Sequence, residues 1–447
     1  MGDERRIGRR TIVGGGLIGA ALAGPAEAQP SPASRSREGG LRPGVSTDQS
    51  VALGRALAAA AAEGRDLRLP AGEYRVGGVT VPPHTRLVGT PGLTILIGTG
   101  AGPVLAGEGP GSFALSGLVL RGAPGGAPDV PTIRFADATV DLTDLAVSGA
   151  AGTAIYLERC GGRVGDCAMA GCDVAIFSRD ATGLRLAGNT IRDCADNGIM
   201  VWRSAKGFDG TLVSGNRIER VRNRSGGSGE YGNGVGLFRA GGVVVSGNAV
   251  RDCAFSAVRN NSGDDVAISG NTCTRSGEVG IFVEFAFEGC VVSGNVIDGA
   301  SVGISLTNLN EGGHLATATG NVVRNLFRRP DALTGIVGQG VGIAAEADAA
   351  VTGNVIEAAE FAGIWIGFGP HQRDVLCSAN VVRRSPIGIA ASVAPGAGTA
   401  HIAGNLLSGC ARGAVLGFSW NEPAGGDFAR GATPPPHLVV AGNTVRP

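Results

Sequence analysis

Residues 290–305 read CVVSGNVIDGASVGIS, and the same arrangement returns along most of the chain. The Gly-Asn pair at 294–295 is followed two positions later by an apolar residue, here Ile297. Equivalent asparagines stand at Asn189, Asn216, Asn248, Asn271, Asn295, Asn321, Asn354, Asn380, Asn405 and Asn443. The shortest steps between them are 23 to 26 residues. Self-similarity at such a period is typical of a solenoid, in which each repeat stacks on the next.

Apolar residues flank each of these asparagines with a period of two, as Val292 and Ile297 flank Asn295. This alternation predicts short strands rather than helices. Strands that recur once per coil pair with those above and below, which gives parallel sheets. We expect each asparagine to adopt the left-handed backbone region at a turn. Its side-chain amide can then donate to one neighbour in the stack and accept from the other.

A second strand per coil is indicated by a glycine or alanine followed by Ile or Val between successive asparagines, as in Gly280-Ile281. Weaker repeats extend upstream through Asp166, Asp144 and Leu118. At about 4.8 Å per coil, roughly a dozen coils would form a rod on the order of 60 Å long. The sequence therefore predicts an all-β fold, a right-handed parallel β-helix formed as one domain over residues 47–447.

The N-terminal residues predict an export signal, a linker and a capping helix. A charged start with Arg9-Arg10, an apolar run and Ala26-Glu27-Ala28 form a signal peptide over residues 1–28. The arginine pair resembles a twin-arginine signal, which implies a twin-arginine translocase as a partner and a bacterial periplasmic or secreted location. Residues 29–46 form the linker. Residues at about 48–63 read as an amphipathic helix that covers the first coil.

Composition excludes several classes of function. The 447 residues contain 38 Lys plus Arg and 38 Asp plus Glu, so the formal net charge is zero. Nucleic-acid binding needs a basic face, and we expect no such partner. The apolar run of the signal is too short to span a membrane, so we expect no stable membrane anchor after cleavage.

The helix, the motif Leu69-Pro70-Ala71-Gly72-Glu73-Tyr74 and the Gly-Asn coils resemble the pectate-lyase-like β-helix superfamily across nearly the whole mature chain. With the arginine pair, the chain more narrowly resembles a family of twin-arginine-translocated repeat proteins of unassigned activity. The coils are also similar to the carbohydrate-binding repeats of periplasmic nitrous-oxide-reductase accessory proteins. The resemblance implies a polysaccharide or oligosaccharide as partner. The Gly-His-Gly and Asn-Thr-Asp motifs of polygalacturonases and the Asp-Pro-His motif of alginate epimerases are absent.

The nine cysteines and five histidines predict no metal site and no cofactor. The histidines are scattered, without the spacing of metal ligands. Most cysteines are interpreted as small buried apolar residues. Cys194 and Cys253 are separated by a coil with Val221 between them, too far to bridge. Three others could include one disulfide: Cys160, Cys167 and Cys172. Asp264-Asp265 could bind calcium or cap a turn.

Candidate site residues follow from the strand that begins at the Gly-Ile dipeptide, whose second and fourth positions after the glycine point away from the core. We expect this outward row to face water and to bind a sugar polymer, because flat apolar groups beside carboxylates and amides suit sugar rings. The candidate catalytic residues are Glu284, Glu346 and Arg259. The candidate substrate-binding residues are Trp202, Phe238, Asn261, Thr307, Trp365, Tyr231 and Glu230. Insertions at 223–233 and 327–339 are expected to wall this cleft.

Two functions remain open at this point. In the first, Glu284 and Glu346 lie two coils apart, roughly 9.6 Å, near the 6.5–9.5 Å of an inverting glycosidase pair. Arg259 could instead steady a uronate carboxylate in a lyase, and epimerisation is a third reaction of the same class. In the second, the β-helix is a non-catalytic carbohydrate-binding or structural scaffold of the periplasm.

Overall fold

The computed structural model describes residues 40–100, 102–123, 125–307, 311–329 and 339–447. Within them the chain coils through three sheets, and each turn as far as Gly413–Ser419 contributes one strand to each sheet in rotation. The parallel β-helix that the repeats predict is therefore confirmed. The export signal predicted at 1–28 and most of the linker lie outside the described residues.

The first sheet contains 15 described strands, all parallel, on the side that precedes the Gly-Asn turn. Its strands are Leu67–Arg68, Thr85–Val88, Ser112–Ser116, Thr139–Thr143, Gly161–Gly165, Arg185–Ala187, Leu212–Ser214, Val244–Ser246, Val266–Ser269, Glu288–Ser293, His314–Thr319, Ala347–Thr352, Arg373–Ser378, Ala400–Ala403 and Leu438–Ala441.

The second sheet, also of 15 described parallel strands, follows the Gly-Asn turn. Its strands are Gly72–Val76, Thr94–Gly98, Val119–Arg121, Ala146–Ser148, Ala168–Ala170, Thr190–Cys194, Arg217–Val221, Ala249–Cys253, Thr272–Ser276, Val296–Ala300, Val322–Leu326, Val355–Ala359, Val381–Arg383, Leu406–Ser408 and Thr444–Arg446.

The third sheet contains the strands that begin at the Gly-Ile dipeptides. Its strands are Val79–Thr80, Leu105–Glu108, Ile133–Ala136, Thr153–Glu158, Val174–Arg179, Asn197–Phe208, Asn233–Gly241, Val258–Asn261, Val279–Glu284, Val302–Thr307, Val341–Ala345, Ala362–Ile366, Ile387–Ser392, Gly413–Ser419 and Glu422–Asp427. The final strand folds back antiparallel on its predecessor and ends the regular stacking.

One α-helix, Ser50–Ala62, packs against the first strands, and two short 3₁₀ helices occupy Gly369–His371 and Phe428–Arg430. The α-helix buries Leu53, Ala56, Leu57 and Ala60. The backbone N–H of Ser50, its first residue, donates to the carboxylate of Asp48 at 2.8 Å, although the N-cap residue Gln49 makes no side-chain capping bond. The predicted capping helix is confirmed. No helix in the described part of the chain is long and apolar enough to cross a membrane.

The predicted asparagine ladder runs without interruption from Asn189 to Asn443. In the middle of it, Nδ2 of Asn271 donates to Oδ1 of Asn295 and to the carbonyl of Val245, both at 3.0 Å. The expectation that the asparagine itself adopts the left-handed backbone region is wrong, however. The residue with positive φ is the one before it, a glycine such as Gly294 (φ 62°) or, once, Ala379 (φ 56°). The glycine turns the chain, and this leaves the asparagine side chain free to point inward.

The core is a continuous column of apolar side chains inside the three sheets. All nine cysteines are buried in or beside it as free thiols, so Cys160, Cys167 and Cys172 form no disulfide. The predicted ladder position shared by Cys194, Val221 and Cys253 is confirmed by their register. The closest pair of thiols, Cys172 and Cys194, has its sulfurs 3.8 Å apart. Burial raises the pKa of Cys273 to about 12, as expected for an inert core thiol.

Candidate functional site: a cavity on the outer face of the third sheet

Two rows of outward side chains run along the third sheet. The first row consists of Met200, Gly236, Arg259, Phe282, Ser305, Ala344 and Trp365 on successive strands. The second row consists of Trp202, Phe238, Asn261, Glu284 and Thr307. The residues between the rows, such as Val201 and Val283, lie in the core. The assignment of inward and outward positions from the sequence is therefore confirmed.

Glu346 extends the second row. It directly follows the strand Val341–Ala345, and its backbone N–H donates to the carbonyl of Leu306 at 3.1 Å. Because Leu306 lies opposite Ala345, Glu346 comes one rung after Thr307 and two rungs after Glu284. The predicted spacing of the two glutamates is confirmed.

A cavity of about 270 Å³, here called the acidic cavity, lies over these rows. Its polar lining combines three carboxyl groups (Glu278, Glu284 and Glu346), one guanidinium (Arg259), one amide (Gln339) and the hydroxyls of Ser228, Ser305 and Thr307. Its aromatic lining consists of Phe282, Phe285, Trp365 and Phe368. A concave site of this kind, apolar with a few convergent polar groups, is the usual form of a small-molecule or sugar site.

An ion pair joins Arg259 and Glu284 inside the acidic cavity. Nε of Arg259 donates to Oε1 of Glu284 at 2.5 Å, and Nδ2 of Asn261 donates to the same oxygen at 3.2 Å. Only 12% of the arginine side chain and 5% of the glutamate side chain are exposed. Burial raises the pKa of Glu284, although Arg259 and Asn261 oppose the shift. Burial therefore affects the protonation of this carboxyl group more than its cation does.

The loop before the strand Asn233–Gly241 covers the guanidinium of Arg259. Gly229 in that loop has φ +130°, and a Cβ atom there would lie only 2.1 Å from Nη1 of Arg259. Glycine is required here because any side chain would displace the guanidinium. The predicted role of the 223–233 insertion as a wall is supported by Ser228, which lines the acidic cavity. Of the second insertion, residues 330–338 lie outside the described part.

Two buried polar residues of the acidic cavity were missed by the sequence analysis. Glu278, 6% exposed, directly precedes the strand Val279–Glu284, and burial raises the pKa of its carboxyl. Gln339 is 3% exposed, and its Oε1 has no hydrogen-bond partner in the described residues. The predicted outward row contains only positions after the glycine, whereas both residues come before it; only Gln339 falls within a predicted wall, as the last residue of the 327–339 insertion. A carboxylate amid apolar residues just before a core strand was the available signal for Glu278.

A second, smaller cavity of about 140 Å³, here called the aromatic cavity, adjoins the first through Arg259, which lines both. It is also lined by Trp202, Phe238, Asn261 and Glu230. The rings of Trp202 and Phe238 lie 4.3 Å apart between centroids and are tilted by 38°. Both side chains are half-buried, so part of each ring remains accessible. Phe177 and Tyr156, which lie in the first row on the two preceding rungs, extend the chain of ring contacts from Trp202.

The expectation that the whole outward row faces water is wrong for three candidates. Glu284, Glu346 and Trp365 are 4%, 7% and 2% exposed. Trp365 packs against Phe361 and Phe418, with ring centroids 5.5 and 4.9 Å apart, in a second apolar cluster outside the sheet. Its indole N–H donates to the carbonyl of Gly367 at 2.5 Å. Large side chains from neighbouring turns therefore cover this part of the face.

The structure thus brings the candidates together in two adjoining groups. The acidic cavity receives Arg259, Glu284, Thr307, Glu346 and Trp365, and the aromatic cavity receives Trp202, Glu230, Phe238 and Asn261. Tyr231 is half-buried and lines neither.

Asp264 has protein partners. Its Oδ1 accepts from the backbone N–H of Glu288 and pairs with Lys206, both within 2.8 Å. Across the described ranges, no group of three or more His, Cys, Asp or Glu side chains is arranged to hold a metal ion.

A model of the family described as "Right handed beta helix region" matches residues 133–316 and 204–378, which together span more than half of the chain. The chain belongs to this family of right-handed β-helices. No curated protein matches the sequence.

Solved structures with a similar fold include the A-module of the mannuronan C-5 epimerase AlgE4 from Azotobacter vinelandii. It is 17% identical with a TM-score of 0.49, over 63% of this chain and 92% of that one. The Dettilon tailspike protein is 16% identical with a TM-score of 0.45, over 85% and 66%. The catalytic unit of an α-1,3-glucanase from Streptomyces thermodiastaticus is 14% identical with a TM-score of 0.40, over 93% and 69%.

Proposed function

We propose that the chain binds a polysaccharide along the outer face of the third sheet and hydrolyses it in the acidic cavity. One observation carries the proposal: Glu284 and Glu346, both buried, line one cavity from rungs two apart. Two rungs span roughly 9.6 Å, near the upper end of the 6.5–9.5 Å that leaves room for water between an inverting carboxyl pair.

The environments of the carboxyl groups suggest how the roles divide. Burial raises the pKa of Glu284, which favours a carboxyl group that still carries a proton to donate to a leaving oxygen. Glu346 then acts as the base that activates water from the opposite side of the sugar. A lyase or epimerase acting on uronates would need Arg259 to neutralise the substrate carboxylate. Nε of Arg259 already donates to Oε1 of Glu284, an oxygen that accepts whether or not the carboxyl group carries a proton on Oε2, so hydrolysis is the better supported reaction.

The aromatic cavity supplies binding for the rest of the polymer. Trp202 and Phe238 present partly exposed rings one rung apart, and the apolar faces of sugar rings pack well on such surfaces. Because Arg259 lines both cavities, one chain of sugars can extend from the aromatic cavity into the acidic cavity.

The test is product release from a panel of polysaccharides by the wild type and Glu284→Gln. Turnover should fall roughly 100-fold or more, the usual contribution of a general acid or base. Glu73→Gln, at an exposed carboxyl in the second sheet that lines neither cavity, is the matched control and should retain full activity. Equal turnover by wild type and Glu284→Gln would overturn the catalytic assignment.

A second candidate function is binding without catalysis. It is favoured by Trp365, because part of the same face is a packed apolar cluster with a structural role. In that case a glycan binds, Trp202→Ala weakens binding roughly tenfold through the lost aromatic contact, and no shorter product appears.

Export is part of the proposal. We infer from Arg9-Arg10 and the apolar run after it that the chain leaves the cytoplasm through the twin-arginine translocase, as in the repeat family that it resembles. In a bacterial host, the mature chain should appear in the periplasm or medium. Replacing both arginines with lysine should retain it in the cytoplasm. Unchanged export of the lysine variant would contradict the twin-arginine route.

A further inference from the structure

The charge of the acidic cavity restricts the sugar that it can hold. Three of its lining residues are carboxyl groups, and Arg259 is the one cation among its described lining residues. That cation is already paired with Glu284. The stretches 308–310 and 330–338, outside the described residues, contain no lysine, arginine or histidine in their sequence.

Arg329 is a further cation near this site, in addition to Arg328 and Arg412, which lie over the ring of Phe361 behind Trp365. Its charge lowers the pKa of Glu278 against the larger effect of burial. Its Nη1 donates to the backbone carbonyl of Gly277 at 2.9 Å, and the residue is not part of the cavity lining. A ligand in the acidic cavity therefore meets more negative than positive groups.

The hydrogen-bonding groups of the acidic cavity also favour a ligand that carries donor groups. Oε1 of Gln339 is a buried acceptor without a donor, and the carboxyl oxygens of Glu278 and Glu346 are acceptors when ionised. The hydroxyls of Ser305 and Thr307 are 2.7 Å apart and bond to each other. An unsatisfied buried acceptor costs free energy that a ligand donor recovers. The cavity thus favours a ligand rich in N–H and O–H groups.

We propose that the sugar unit in the acidic cavity carries a free amino group, so that the polymer is a cationic amino-sugar glycan. This inference rests on the proposed function. The ammonium of this sugar unit donates to Gln339 Oε1 and to a carboxylate of the cavity. A uronate in the same position would place its carboxylate against like charges, and this repulsion excludes it. A neutral sugar lacks both the attraction and the repulsion.

The test compares the affinity of the full mature protein for three tetrasaccharides: β-1,4-glucosamine, its N-acetylated form and a mannuronate. Isothermal titration at low ionic strength should give the tightest binding for glucosamine. The mannuronate should bind weaker by on the order of a hundredfold, because attraction is replaced by repulsion. The advantage of glucosamine should shrink in 0.5 M salt, since added ions screen the charges.

Two variants localise the effect. Glu278→Gln should lower the affinity for the glucosamine tetramer roughly tenfold, because it removes one attracting charge, and should leave the neutral tetramer little changed. Glu73→Gln removes an equal charge from an exposed position in the second sheet that lines neither cavity, and it should change neither affinity. Circular dichroism of each variant verifies that the fold is retained.

The outcomes separate this inference from the proposed function. If the mannuronate or the neutral tetramer binds tightest, and Trp202→Ala weakens it, the glycan site stands and the amino-sugar inference is overturned. If none of the three tetramers, nor any member of a broader glycan array, binds, the proposed function falls and the inference falls with it.

Discussion

The asparagine ladder and the acidic cavity both bury polar side chains, but they treat hydrogen bonds differently. In the ladder, Oδ1 of Asn295 accepts from two groups of Asn271, and its Nδ2 donates to Asn321 and to the carbonyl of Ile268. In the cavity, Gln339 is equally buried and leaves Oε1 without a donor. Fully paired buried amides stabilise a fold, whereas an unpaired one costs stability and marks a place for a ligand.

The largest effect is expected in the ladder. Asn295→Ala removes four hydrogen bonds and leaves buried partners unpaired, so the free energy of unfolding should fall by roughly 3 kcal/mol. Urea denaturation followed by circular dichroism measures this change. Asn443→Ala, at the half-exposed end of the ladder, is the graded control and should cost less, since water can replace its bonds. An equal loss of free energy of unfolding at both positions would show that burial does not determine how strongly a ladder asparagine stabilises the fold.

A smaller, pH-dependent effect is expected in the cavity. Burial raises the pKa of Glu278 above its ordinary value, so its ionisation destabilises the folded chain. Below about pH 4.3 the carboxyl group is protonated in both the folded and the unfolded chain, so it does not lower the free energy of unfolding. Its destabilising effect grows as the pH rises through the raised pKa of the folded chain. Glu278→Gln should therefore gain stability relative to wild type from pH 4 to pH 8. The gain is about 1.4 kcal/mol for each unit of pKa shift. A stability difference between the variant and the wild type that stays constant from pH 4 to pH 8 would contradict this prediction.

The smallest effect on stability is expected at Gln339. Gln339→Met replaces an unpaired amide with an apolar side chain of similar shape, so the free energy of unfolding should stay within about 1 kcal/mol of wild type or rise. Glycan affinity should fall, because the ligand loses an acceptor. A destabilisation as large as that of Asn295→Ala would show that Gln339 has a structural role.

The sequence predicted the ladder and the register because both follow from a repeat. Once Asn295 and Ile281 are aligned with their equivalents, period two determines which residues point inward. The burial of Glu284 and Trp365 could not be predicted in this way. Trp365 is covered by Phe361, which precedes the strand, and by Phe418 of a later strand, while Ser228 of the 223–233 insertion lies over the same cavity as Glu284. Their position depends on tertiary packing rather than on periodicity.

The strand residues of the candidate site were predicted one by one, whereas of the residues before the strands only Glu230 was named and the 223–233 and 327–339 insertions were predicted as walls. Arg259, Glu284 and Thr307 occupy outward positions of regular strands, so alignment alone brought them together. Glu278 and Gln339 precede their strands, where the repeats differ in length and no alignment fixes their direction. Their burial and lack of partners become visible only in three dimensions.

The most direct test of the central claim is a crystal structure of the Glu284→Gln variant with a bound oligosaccharide. We expect sugar rings packed on Trp202 and Phe238, with the glycan continuing past Arg259 and one unit within hydrogen-bonding distance of Gln339 and Glu346. An oligosaccharide bound on the first or second sheet, with the acidic cavity empty, would contradict the proposed function.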